Sequence, residues 1–151
     1  MEAVLALIIA ESSLNPRSER WGSRTAEAVQ RLKKGASVQD IIDDVWPDIS
    51  FGYCQRIVKY HWSGDGAKSE ANVLRVREEV FGHPERDILE AASKFAGCLQ
   101  LAGGDILEGL CVYNFGHVPK PQERQTSDFI NNSASYKLAL ARAREILGRP
   151  M

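Results

Sequence analysis

The sequence predicts a mainly α fold in a single domain spanning residues 1–151, and three observations carry that reading. Apolar residues recur at three- and four-residue spacing along most of the chain. Helix punctuation falls where that periodicity starts and stops, with proline at a first helical position and glycine past a last one. No stretch alternates apolar and polar residues convincingly over strand length, and only Asp48 to Phe51 offers a weak strand signal. A chain of 151 residues can bury one core.

The elements follow in order. The first helix covers Glu2 to Ser12 and stops before Asn15-Pro16, because the residue before a proline avoids helical backbone. Thr25 to Lys34 is the second, with Gly35 as its stop. Ser37 caps a short helix to Asp44, with Asp40 three residues on as the reciprocal partner, and Trp46-Pro47 breaks it. Gly52 to His61 is expected as a further helix, followed by a turn at Ser63-Gly64-Asp65-Gly66. Ser69 to Phe81 is helical and ends at Gly82. Pro84 opens a long helix to Ala102, which Gly103-Gly104 ends. Asp105 caps the next helix, to about Phe115, with Glu108 as partner. Gly116 to Ser133 is expected as a polar, proline-bearing loop, and Ala134 to Leu147 as the last helix.

Nineteen basic against twenty acidic residues leave a net charge of -1, with none of the basic excess that a nucleic-acid partner needs. The cysteines Cys54, Cys98 and Cys111 are odd in number and widely spaced, which fits neither a disulfide framework nor a zinc site. They read as small core residues in helix-like stretches, with a single disulfide left open. His61, His83 and His117 show no ligand spacing, so no metal and no cofactor are expected. The apolar run Ala3 to Ala10 follows Glu2 rather than a basic region, and it is too short to span a bilayer. It reads as a buried helix, with neither a signal peptide nor stable membrane insertion. A monomer is expected.

Glu11 stands out on the first helix. It lies three and four residues after Ile8 and Leu7, on the face those residues share with Val4. Partial desolvation there and the negative end of the helix dipole both favour its protonated form. A glycosidase asks that of the acid that protonates a leaving oxygen. By periodicity alone, Glu11 reads first as a carboxylate at an exposed helix end, because acidic residues are mostly exposed.

The order of further motifs adds to this. Ala6-Leu7-Ile8-Ile9-Ala10-Glu11-Ser12-Ser13-Leu14-Asn15-Pro16 resembles the first motif of soluble lytic transglycosylases and goose-type lysozymes, in which an apolar helix ends in Glu-Ser. Ser50-Phe51-Gly52-Tyr53-Cys54-Gln55 resembles their Ser-x-Gly-Leu-Met-Gln segment, with Tyr53-Cys54 in place of Leu-Met. His83-Pro84-Glu85-Arg86-Asp87-Ile88 resembles Asp-Pro-x-x-Asn-Ile, with Asp87 where Asn is usual. Val112-Tyr113-Asn114-Phe115-Gly116 resembles Ala-Tyr-Asn-Ala-Gly, and Tyr136 resembles a late tyrosine bordering the catalytic acid. The matches run in order over nearly the whole chain. A segment from about 17 to 48 has no counterpart and inserts one or two helices.

The resemblance implies a lysozyme-like fold that cuts the glycan strand of peptidoglycan between N-acetylmuramic acid and N-acetylglucosamine. It implies Glu11 as the acid, with Tyr113 and Tyr136 holding it by hydrogen bonding. Gln55 and Asn114 are then sugar contacts, Ser12 and Gly52 shape the site, and Phe51, Tyr53 and Phe115 offer rings to sugar faces. It further implies transglycosylase chemistry, which needs one carboxylate and leaves a 1,6-anhydro end. Hydrolysis would need a second carboxylate, for which Asp48 and Glu19 are the candidates. Two other readings stay open, a silent glycan-binding module and a helical DNA-binding domain, although the charge balance disfavours the latter. Action on the cell wall without a signal peptide would suit a phage lysis enzyme or release on lysis.

Overall fold

In the computed structural model the chain is mainly helical, with one small sheet. The structure describes residues 1–60 and 65–149, apart from the side chains of Arg24 and Arg56. His61, Ser63 and Gly64 of the expected helix end and turn lie outside the described residues. The Cα packing separates two compact units, one made of residues 1–13 with 88–151 and the other of residues 14–87.

The first unit is built on α1 (Glu2–Ser12), α5 (Pro84–Leu101), α6 (Ile106–Phe115) and α7 (Ser127–Ile146), with the opening turn of α5 belonging to the other unit. Helix α1 has the bounds the sequence predicts. Ala6, Leu7 and Ile8 are buried along it, and it packs closely on α7. The two helices run antiparallel. Glu2 of α1 meets Arg144 of α7, and Glu11 meets Tyr136. Nine residues of α1 and eight of α7 separate these contacts, about 13 Å of rise on each helix. Asp105 caps α6 by accepting from the Glu108 backbone N–H at 2.8 Å. The Glu108 side chain does not return the bond, because Arg124 takes it.

Helix α7 begins seven residues before the expected Ala134. Thr126 caps it, accepting from the Phe129 N–H at 3.2 Å, and Asp128 places a negative charge in its first turn. The expected long loop therefore shortens, and a 3-10 turn at Glu123–Gln125 occupies part of it.

The second unit holds an antiparallel sheet of β1 (Glu19–Trp21), β2 (Ile49–Phe51) and β3 (Arg56–Ile57), with β2 central. Trp21 pairs with Ile49, and Ser50 pairs with both Arg20 and Ile57. Helices α2 (Thr25–Lys33), α3 (Val38–Val45) and α4 (Glu70–Gly82) complete the unit. Ser37 and Asp40 form the reciprocal capping box at α3. The helix expected over Gly52 to His61 is instead a turn, strand β3 and a 3-10 turn at Val58–Tyr60. Cys54 accordingly sits in a turn rather than a helix, and all three cysteines are buried and free.

Packing explains this sheet better than propensity does. Ile49, Ser50 and Phe51 are all buried, so β2 shows no alternation. Its residues join a core with Trp21, Ile41, Ile42, Val58, Val73, Val76 and Val80. Phe51 sits edge-on to Trp21 and Phe81, at centroid distances of 5.7 and 5.9 Å. No single described helix is long and apolar enough to cross a membrane.

Candidate active site

In the first unit, α1 and α7 bring Glu11 and Tyr136 together across 125 positions of sequence. The Tyr136 hydroxyl donates to Glu11 Oε1 at 3.1 Å. Tyr136 is 4% exposed and Glu11 is half-buried, so packing fixes the phenol. Ser12 is buried, and its Oγ donates back to the Ile8 carbonyl at 2.9 Å. This bond is spent within the helix and helps end it. Ser13 and Leu14 follow with φ of 52° and 67°. Two successive non-glycine residues in the left-handed region turn the chain sharply beyond the carboxylate and store strain there.

Tyr113 and Asn114 lie in the last turn of α6. The Tyr113 ring meets Phe95 edge-on at 6.0 Å, and Lys94 Nζ lies 4.6 Å from its centroid. Asn114 is exposed, and its Oδ1 accepts from Asn132 Nδ2 at 3.2 Å. Phe115 packs against Phe129 at 5.7 Å and meets His117 edge-on at 6.3 Å. Arg124 ties this corner together. Its guanidinium bonds both carboxylate oxygens of Glu108, donates to the Pro119 carbonyl at 3.1 Å, and lies 5.4 Å from the Phe129 centroid. The Glu108 carboxylate raises the guanidinium's basicity. His117 and the Lys120 N–H both meet the Glu123 carboxylate, and the bond from Lys120, followed by that from His117, holds it below the ordinary carboxylate range.

The second unit holds the remaining candidates, and most of their polar groups serve its own fold. Gly52 has φ of 87°, and a Cβ there would stand 2.4 Å from Val80 Cγ1 and 2.6 Å from Asp87 Oδ2. The glycine is required by close packing as well as by backbone conformation. Asp87 is buried and accepts from the Cys54 N–H at 3.1 Å, anchoring the turn that Gly52 opens. Gln55 is 8% exposed, accepts from Ser50 Oγ at 3.0 Å and donates to the Gly52 carbonyl at 3.0 Å. Tyr53 is half-buried on the same turn. Phe51, expected to offer a ring to sugar, is fully buried in the core and presents no face to a ligand.

Of the two candidate second carboxylates, Glu19 is engaged structurally. It accepts from Arg77 at 2.6 Å and from Trp21 Nε1 at 3.0 Å. Asp48 is exposed and borders two concavities of about 330 and 650 Å³ that share Gly22 and Ser23. Among the described residues, no three His, Cys, Asp or Glu side chains are grouped so as to hold a metal ion.

Sequence reasoning missed Asn132, Arg124 and the anchoring role of Asp87. A signal for the first two was present. Thr126-Ser127-Asp128 is a cap followed by a first-turn acid, and it announces a helix that would bring Asn132 to α6. No family model, no curated protein and no solved structure matches this chain.

Proposed function

We propose that the chain is a peptidoglycan-cleaving glycosidase of the lytic transglycosylase type, acting on the cell wall with Glu11 as its acid and then its base. One observation carries the reading. The two residues that the motif resemblance marks as acid and neighbouring tyrosine, 125 positions apart, share a hydrogen bond at the end of a buried helix. Both residues belong to one unit.

In the reaction Glu11 gives its proton to the glycosidic oxygen, and the C1–O bond breaks with oxocarbenium character. The resulting carboxylate then takes the proton of the C6 hydroxyl on the same sugar, whose oxygen closes onto C1. No water is consumed, and one carboxylate serves both steps. Tyr136 suits this exchange. Its hydroxyl donates to the carboxylate, and its oxygen can accept once Glu11 is protonated.

The test is to digest purified peptidoglycan with the wild-type protein and with Glu11→Gln and weigh the released fragments. Fragments lighter by one water than reducing-end products, absent with Glu11→Gln, are the expected result. Reducing ends that depend on Glu11 would replace the transglycosylase with a hydrolase. Release of nothing by the wild type would overturn the enzymatic reading and leave a glycan-binding module.

A further inference from the structure

The two concavities of the second unit share Gly22, Ser23 and Asp48, and their charges are arranged differently. In the smaller, Arg31 pairs with Asp44, and the two charges neutralise one another. The larger, of about 650 Å³, is lined by one guanidinium and one carboxylate, those of Arg20 and Asp48. Among the described residues neither side chain has an ion-pair or hydrogen-bond partner, and they do not pair with each other.

The sheet dictates this placement. Arg20, Ser50 and Ile57 are cross-strand partners, so their side chains stand on one face, opposite Trp21, Ile49 and Phe51. That row floors the concavity. Asp48, two residues before Ser50, falls on the same side, and Ser23, Thr25 and Ala26 wall it. The Thr25 hydroxyl is already used, accepting from the Trp21 N–H at 2.9 Å and donating to the Gly22 carbonyl at 3.3 Å. Ser50 spends its proton on Gln55. The strongest groups left for a ligand are the Arg20 guanidinium and the Asp48 carboxylate, with Ala26 and the partly exposed Ile57 as apolar surface.

A guanidinium only donates and a carboxylate only accepts. A simple anion or a simple amine satisfies one of them and meets like charge at the other. A carboxylate and an ammonium on one carbon satisfy both. We infer that this concavity is a binding site for a zwitterionic amino-acid group, with its carboxylate on Arg20 and its ammonium on Asp48. The inference goes beyond the glycan reading and does not rest on it. Such a group is available from free amino acids and from the diamino acid of a peptidoglycan peptide stem.

The test uses three small molecules that share one carbon chain. Diaminopimelate carries both groups, heptanedioate only the carboxylates, and 1,5-diaminopentane only the amines. Each is titrated at neutral pH and low ionic strength, where all these groups are charged and least screened. Binding is followed through the backbone amide signals of Ser23 and Ser50 by NMR, with wild type, Arg20→Gln and Asp48→Asn. Both substitutions are at exposed side chains, and thermal midpoints check that the variants are folded.

Wild type is expected to bind diaminopimelate about fivefold more tightly than either partial ligand, the worth of one exposed charged pair. Asp48→Asn should weaken diaminopimelate and diaminopentane about fivefold without weakening heptanedioate. Arg20→Gln should weaken diaminopimelate and heptanedioate without weakening diaminopentane. A stem tripeptide ending in diaminopimelate separates the two sources, binding more tightly than the free amino acid if the wall supplies the ligand and no more tightly if it does not. Equal binding of the three small molecules by wild type, equal loss of all three in both variants, or no binding of diaminopimelate overturns the inference. None of these results bears on Glu11, whose test is the digestion above.

Discussion

The two ends of the α1–α7 pair hold glutamates nine positions apart on one helix, and they have been given different partners. Glu2 receives two guanidinium groups, Arg144 Nε at 2.8 Å and Arg149 Nη1 at 2.9 Å. These bonds, Arg144 first, hold its carboxyl below the ordinary value of 4.5. Glu11 receives the hydroxyl of Tyr136. A guanidinium cannot give up its charge, so it commits a carboxylate to the ionised form. A phenol can donate to the charged form and accept from the neutral one. One end is therefore a brace between helices, and at the other α7 supplies a phenol that can follow a change of protonation. Residue type and helix do not separate the two glutamates, but the partner that α7 brings to each does.

The largest expected effect is at the Glu11 end. Glu11→Gln should lower the rate of peptidoglycan cleavage by about 10²- to 10⁴-fold, the usual contribution of general acid–base catalysis. The thermal midpoint should move little, because glutamine keeps the volume and an oxygen that accepts from Tyr136. Cleavage within a factor of three of wild type would end the comparison, since both glutamates would then be structural.

The second unit sharpens the contrast, since its motif residues serve its own packing. Gly52→Ala drives a Cβ onto Val80 and Asp87 at a backbone φ that alanine resists. It should destabilise the protein by about 2–3 kcal/mol, in line with overpacking plus a disfavoured backbone. Urea unfolding followed by the fluorescence of buried Trp21 measures it. A change below about 0.5 kcal/mol would show that the turn yields easily and that Gly52 is kept for something other than packing.

Much of this was legible in the sequence, for reasons particular to each element. Helix α1 and the Ser37–Asp40 capping box could be read because apolar spacing and cap chemistry are local. The pairing of Glu11 with Tyr136 could not be read from periodicity, and only the order of motifs suggested it. The sheet was hidden because its strands are two or three residues long and β2 is buried throughout. Phe51 looked like a sugar platform because its neighbours match a site motif, yet its ring lies edge-on to Trp21 and Phe81 in the core. Gln55 matched the same motif, but its amide binds Ser50 and Gly52, contacts that depend on a φ of 50° that sequence does not reveal. The start of α7 was obscured by Asn131-Asn132-Ser133, poor helix formers that the Thr126 cap outweighs.

A smaller effect is expected at Tyr136. Tyr136→Phe removes the hydroxyl and keeps the ring, so packing on α1 should persist. Loss of one hydrogen bond to the carboxylate should slow cleavage by about tenfold and alter the acid limb of the pH–rate profile. A uniform loss at every pH, with that limb unmoved, would instead mean that the phenol acts on substrate binding.

The smallest expected effect belongs to the brace, and its sign can be worked out. Glu2 has a folded-state pKa below 4.5, whereas the unfolded chain titrates near 4.5. The unfolded state therefore binds more protons in that window, and stability rises with pH through it. The contribution is complete above about pH 5 and is lost as pH falls through the lower, folded-state value. Glu2→Gln should consequently melt below wild type at neutral pH, and the gap should close in acid. Thermal melts of both proteins between neutral pH and pH 3 test this. A gap that stays constant into acid would mean that the loss does not depend on ionisation of the Glu2 carboxyl, and the contrast between the two glutamates would no longer be one of charge.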